Sequence, residues 1–303
     1  VKFRENAPLV SAVLSYRIHL HIFAGLFATL FTTSSLTPAS AATGSPLETQ
    51  IESLVKSLRA KGSIRSSERT AWAAYDLTSG AKLVSINEQA PLQAASMIKP
   101  FVALAFFHQV QSGQLRYGDA SRRHMELMIQ KSDNASTNWV MSQTGGPAAT
   151  KALLARHYPS LCQNLRLIEY IPANGRAYRN LGSAGDYAAF LSALWKKQLP
   201  YADEILRLMA LPGPDRLCTK TRQIPDGTRV YDKTGSTAMC CGDMGILVAQ
   251  GTDGRAYPYI LVGVIDSTVR VPSYGTWISR RSDVIRAVSD LTYTHLKQHY
   301  PLR

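Results

Sequence analysis

The chain has 303 residues, 45% apolar and 18% charged, without a low-complexity tract; this composition supports a sizeable buried core and excludes a fibrous or disordered protein. The net charge is +13, but the basic residues are scattered and form no recognition motif, so a nucleic-acid module is excluded and the charge reads as solubility. Four cysteines without C-x-x-C spacing and seven histidines without ligand spacing suggest no metal, and nothing suggests an organic cofactor.

In chain order, residues 1–42 read as a signal peptide. Lys2, Arg4 and Arg17 make a basic start, "IFAGLFATLF" (22–31) is an apolar core, and Ala39-Ser40-Ala41 offers the small-x-small cleavage pattern. The apolar run is shorter than the about 20 residues of a membrane span. The expectation is export to the periplasm or the medium, with no stable span after cleavage. In an oxidising compartment Cys162, Cys218, Cys240 and Cys241 allow up to two disulfides, and a bridge between the adjacent Cys240 and Cys241 would be strained.

Next, "SPLETQIESLVKSLRAKG" predicts an amphipathic helix with Ile51, Leu54, Val55 and Leu58 on one face. "RTAWAAYDLTSG" and "AKLVSINEQ" predict two strands around a Ser-Gly turn. "LQAASMIKPFVALAFF" (92–107) predicts a helix with Pro100 in its first turns. A helical, loop-rich region runs from about 120 to 225, with a polar break at Ser132-Asp133-Asn134 and an amphipathic helix at "DYAAFLSALWKKQL". Three strands follow, 229–236, 244–252 and 257–266, and "WISRRSDVIRAVSDLTYTHLKQ" closes the chain as a helix.

This order predicts an α+β fold: an antiparallel sheet of about five strands flanked by the N- and C-terminal helices, plus an all-helical lobe. The catalytic domain would span 43–303, with an α/β lobe at about 47–95 and 226–303 and a helical lobe at about 96–225. Ligands favour the seam between lobes.

Three triplets carry the chemistry. Ser96-Met97-Ile98-Lys99 puts a hydroxyl and an amine three positions apart, on one helix face. A lysine among apolar neighbours has its pKa lowered and can take a proton from a serine near neutral pH. Ser132-Asp133-Asn134 sits in the polar break and Lys233-Thr234-Gly235 at the end of a strand. S-x-x-K, S-D-N and K-T-G in this order resemble the penicillin-recognising serine hydrolases, class A β-lactamases and their penicillin-binding relatives, over roughly residues 47–300.

The resemblance implies an α/β sandwich with a helical lobe and the site in the cleft between them. It makes Ser96 the acylated nucleophile, Lys99 a base or relay, and Ser132 the donor to the leaving nitrogen. It gives Lys233 the cleft's positive potential, Asn134 the substrate amide, and Thr234 and Ser236 the substrate carboxylate. Gly235 lets the strand approach the substrate, and the N–H groups of Ser96 and Ser236 form the oxyanion hole. Asp133 reads as a structural brace.

The chain departs from the family in three places. No E-x-x-L-N string follows S-D-N. Glu169, 37 residues after Ser132, is the candidate deacylating base, with Asn174 five residues on and Arg166 before it; the alternative is an exposed carboxylate or one paired with Arg176 or Arg179. Only 36 residues separate Ser96 from Ser132, which opens one side of the cleft. Asp243 and Met244 occupy the neighbourhood where the family often places an arginine, leaving Arg216, Lys220 or Arg222 to substitute, and Cys218 is by position a partner for the rim cysteines. The leading expectation is β-lactam hydrolysis through an acyl-enzyme on Ser96 by a monomer. A DD-peptidase or related cell-wall amidase or esterase acting on peptidoglycan-derived substrates, and a penicillin-binding sensor with slow deacylation, are the alternatives.

Overall fold

A computed structural model describes residues 44–172 and 179–303. The segment expected to be a signal peptide falls outside the described residues, as do Asn174 and Arg176.

The chain enters α1 (Pro46–Ala60) through Ser45, whose hydroxyl accepts from Glu48 N–H, with proline at the start of the helix. β1 (Glu68–Asp76) and β2 (Lys82–Ile86) form the expected hairpin. A short β3 (Leu92–Gln93) and a 3-10 turn (Ala95–Ile98) precede α2 (Lys99–Gln111). The helical region continues with α3 (Asp119–Gln130), α4 (Asn134–Gln143) and α5 (Gly146–His157). β4 (Leu181–Gly182) pairs with β3, and α6 (Ala184–Trp195) and α7 (Ala202–Met209) follow. The chain ends in β5 (Arg229–Ser236), β6 (Cys240–Gln250), β7 (Ala256–Ser267) and α8 (Tyr274–Lys297).

The large sheet has the order β2-β1-β7-β6-β5, antiparallel throughout. Alternation along its strands divides the interior in two. Trp72 and Ala74 of β1 face a core completed by Leu47 and Ile51 of α1 and by Val284, Ile285 and Val288 of α8. Ala71 and Ala73 face the opposite core, filled by α2 and by Tyr187 and Phe190 of α6. Every residue of α2 from Lys99 to Phe107 is buried. Such a helix, apolar all round, serves as the axis of its lobe, and Phe101 packs on Phe190 with ring centroids 4.6 Å apart.

All four cysteines are free thiols, which corrects the expectation of disulfides. Cys240 and Cys241 are consecutive on β6 and point to opposite faces. The Cys240 thiol donates to Gln93 O in one core, while Cys241 lies in the other beside Ile278 O and Ser282 Oγ. Among the described residues, no helix is long and apolar enough to cross a membrane.

Candidate active site

Ser96 stands on the 3-10 turn, one turn before the helix on which the sequence placed it. The eclipsed i, i+3 geometry of such a turn keeps Ser96 and Lys99 on one side. Ala94 N–H donates to Asn180 O at 2.9 Å, and Ala95 has φ +45°, a left-handed conformation strained for a residue with a Cβ. Met97 is buried against β5 and β6: a Cβ on Gly235 would stand 2.9 Å from Met97 Cγ, and one on Gly242 2.6 Å from Met97 Cε. A side chain at either position would have to displace Met97 from its seat on the sheet.

Ser96 lines a cavity of about 260 Å³ with Ser132, Asn134, Thr234 and Ser236, so members of all three triplets meet at one place. Lys99 is fully buried. Its ammonium donates to Ser132 O at 2.5 Å, Ser132 Oγ at 3.1 Å and Asn134 Oδ1 at 3.0 Å. Burial pulls its pKa down to about 7; the Lys233 cation adds to the effect and Asp133 opposes it. Asp133 braces, as expected: it caps α4, its carboxylate accepting from Ser136 N–H at 2.6 Å. Ser132, with φ +55°, is turned back towards Lys99.

Lys233 is buried on β5, with Nζ donating to Thr234 O at 3.2 Å, and borders a second cavity of about 220 Å³ that also touches Ser132. Its pKa falls to about 8, through burial first, with Asp232 and Asp243 opposing. Of the three basic residues considered for the carboxylate end, Arg216 is the one at the site. Its Nη2 donates to Ser236 Oγ at 2.6 Å, Nη1 to Gly242 O at 2.7 Å and Nε to Ser282 Oγ at 2.9 Å. Lys220 and Arg222 instead border a surface groove between α1 and α8.

Glu169 is not among the residues lining the cavity; its Oε1 accepts from Arg179 N–H at 2.9 Å. The loop residue on the cavity wall is Ile171. Asn138 holds it through both backbone atoms, Oδ1 accepting from Ile171 N–H at 2.8 Å and Nδ2 donating to Ile171 O at 2.6 Å. Asn180, buried on the same wall, ties the loop from the other side. Its Oδ1 accepts from Ile168 and Glu169 N–H, and its Nδ2 donates to Glu169 O. The sequence reading missed all three residues. For Asn138 a signal existed: it lies four positions after Asn134 on the same helix and so shares its face.

Among the described residues, no cluster of three or more His, Cys, Asp or Glu side chains is arranged to hold a metal ion. What the site offers is a hydroxyl on a strained turn, a buried amine linked to a second hydroxyl, and a cationic end. That arrangement suits acyl transfer from an amide to serine.

The fold agrees with those of known proteins. PBP-A matches with a TM-score of 0.66 at 22% identity, over 83% of this chain and 96% of that one. A leucine-to-glutamate mutant of PBP-A, as an acyl-enzyme complex with penicillin G, gives 0.65 at 21%, over 83% and 96%. The ancestral class A beta-lactamase GNCA, of the last common ancestor of Gram-negative bacteria, gives 0.63 at 22%, over 82% and 99%. At these identities the likeness shows the fold. No curated protein sequence matches the chain. The model of the beta-lactamase enzyme family matches residues 46–122 and 120–296, most of the chain. The chain therefore belongs to the beta-lactamase enzyme family, hydrolases that act on β-lactam amide bonds.

Proposed function

We propose that Ser96 is acylated by β-lactams and by peptidoglycan-derived peptides in an exported, monomeric enzyme of DD-peptidase type, and that its β-lactam acyl-enzyme is cleared slowly. Lys99, partly neutral near pH 7, takes the Ser96 proton as Oγ attacks the carbonyl. The Lys99–Ser132 hydrogen bond passes a proton on to the leaving nitrogen. The Ser96 and Ser236 N–H groups receive the oxyanion, Asn134 the substrate amide, and Thr234, Ser236 and Arg216 the substrate carboxylate, with Lys233 keeping this end positive. Gly235 admits the substrate to the strand edge.

The observation that carries slow clearance is that an apolar residue, Ile171, lines the cavity it shares with Ser96. Among the described residues lining the cavity there is no carboxylate to take the proton of a hydrolytic water. The leucine-to-glutamate mutant of PBP-A in its penicillin G complex supports acyl-enzyme chemistry on this fold. The second reading is a β-lactamase with fast turnover through Glu169, which lies two residues before Ile171. It requires that carboxylate to leave Arg179 N–H and reach into the cavity.

A time course of intact mass after mixing with benzylpenicillin separates the two readings. An adduct on Ser96 that persists for hours supports the first. A transient adduct with accumulating hydrolysed drug supports the second. No adduct overturns both.

A further inference from the structure

Arg216 is held without an ion pair. Its guanidinium makes three hydrogen bonds, all to neutral oxygens, and among the described residues no carboxylate pairs with it. Asp243 instead accepts at Oδ2 from the Arg216 backbone N–H at 2.7 Å. Asp243 is fully buried, and its Oδ1 has no partner. On the neighbouring strand, Asp232 faces the same side of the sheet: Thr234 pairs with Asp243 and Asp232 with Gly245.

Two ionised carboxylates at diagonal positions on neighbouring strands, Asp243 buried and Asp232 half-buried, are disfavoured, and one shared proton is the usual resolution. Burial raises the pKa of both groups, and the Asp243 charge raises Asp232 further. Charge balance makes this consequential. With both acids ionised, they oppose the positive charge of Lys233 and Arg216 and weaken its hold on an anion. One shared proton removes one of these negative charges from the end of the cavity where Ser236 and Arg216 meet.

We propose that Asp232 and Asp243 share a proton, and that Asp243 thereby acts as a positioning residue that fixes Arg216 by its backbone while leaving the guanidinium charge for the carboxylate of the substrate. The inference deepens the acyl-transfer reading and rests on its carboxylated substrate. The charged or titratable groups around Asp243 are Arg216 and Asp215 from the loop before β5, Asp232 and Lys233 from β5, Cys241 from its own strand, and Arg281 from α8. Arg281 is committed to Glu68 at 2.7 Å and Asp215 to the N–H groups of residues 217–219.

Two measurements on the mature protein test this. The first is the infrared carbonyl stretch of a protonated carboxyl at neutral pH. The band is expected in the native protein and lost in both Asp232→Asn and Asp243→Asn; its absence from the native protein overturns the proposal. The second is the ratio of Ser96 acylation rates with benzylpenicillin and with its methyl ester, followed against pH. Lys99 affects both compounds, so the ratio isolates the carboxylate end. The native ratio is expected to fall as pH rises in two parts, as the shared proton leaves and as Lys233 loses its proton around pH 8. Asp243→Asn, which keeps an acceptor for Arg216 N–H, should lose the first part and keep the Lys233 part, and Asp243→Ala should lower the ratio about tenfold at every pH. A native ratio independent of pH, or Asp243→Asn and Asp243→Ala behaving alike, overturns the proposal. If benzylpenicillin does not label Ser96, the acyl-transfer reading fails and the infrared band still decides the proton.

Discussion

Asn138 grips Ile171 by its backbone N–H and C=O, at 2.8 and 2.6 Å, so a residue that lines the cavity with Ser96 is held by an amide on the S-D-N helix. The position is fixed while its side chain is free to vary. Ile171→Glu should place a carboxylate where a hydrolytic water must stand and shorten the life of the penicillin adduct by at least about tenfold. Glu169→Gln should leave that lifetime unchanged. The decay of the adduct mass measures both, and a lifetime lengthened by Glu169→Gln would return the role to Glu169.

Removing the grip tests its structural share. In Asn138→Ala the buried backbone groups of Ile171 lose their partners, a cost of about 1–3 kcal/mol. Urea titration should show the loss of stability, together with slower acylation, because the cavity wall is no longer held.

The nucleophile and its base are separable. Ser96→Ala should abolish covalent labelling by benzylpenicillin; labelling at another serine in that variant would remove Ser96 from its role. Lys99 is pulled down to about 7 by burial, so its neutral form grows as pH rises through that value. Acylation should therefore accelerate through neutrality and then level off. The same group binds a proton more readily unfolded than folded, so its linkage makes the fold gain stability as pH climbs from about 7 towards the ordinary lysine range. A flat acylation profile across neutrality would exclude Lys99 as the base.

Four thiols without bridges make a direct chemical prediction. Alkylation of the unfolded, unreduced protein should add four labels. A count of two, with Cys218 among the protected residues, would restore the bridge expected from the sequence.

Much of this was legible in the chain, for identifiable reasons. β5 was read at 229–236, where the structure has it, because K-T-G and the flanking alternation mark it locally. The start of β6 was read four residues late: Cys240 to Asp243 are buried on both faces and show no alternation. Ser96 moved from helix to 3-10 turn because the left-handed Ala95 is imposed by the sheet beneath and by Asn180, neither of which is near in sequence. Ile171 and Asn180 were not legible at all, since one looks like any apolar loop residue and the other works through long-range amide contacts. The cysteine expectation came from compartment chemistry and could not foresee that β6 would send adjacent thiols into different cores.

The contact of Met97 with Gly235 and Gly242 makes the sheet a gauge block for the reaction. The residue next to the nucleophile rests on two positions where no side chain exists, so strand spacing reaches Ser96 through the Met97 side chain. Gly235→Ala should cost about 1–3 kcal/mol and displace the hydroxyl as well, and calorimetry beside adduct formation reads both losses. Changes of substrate preference in such a protein have to arise in the rim and the loop, where atoms can be added without pushing the nucleophile off its mark.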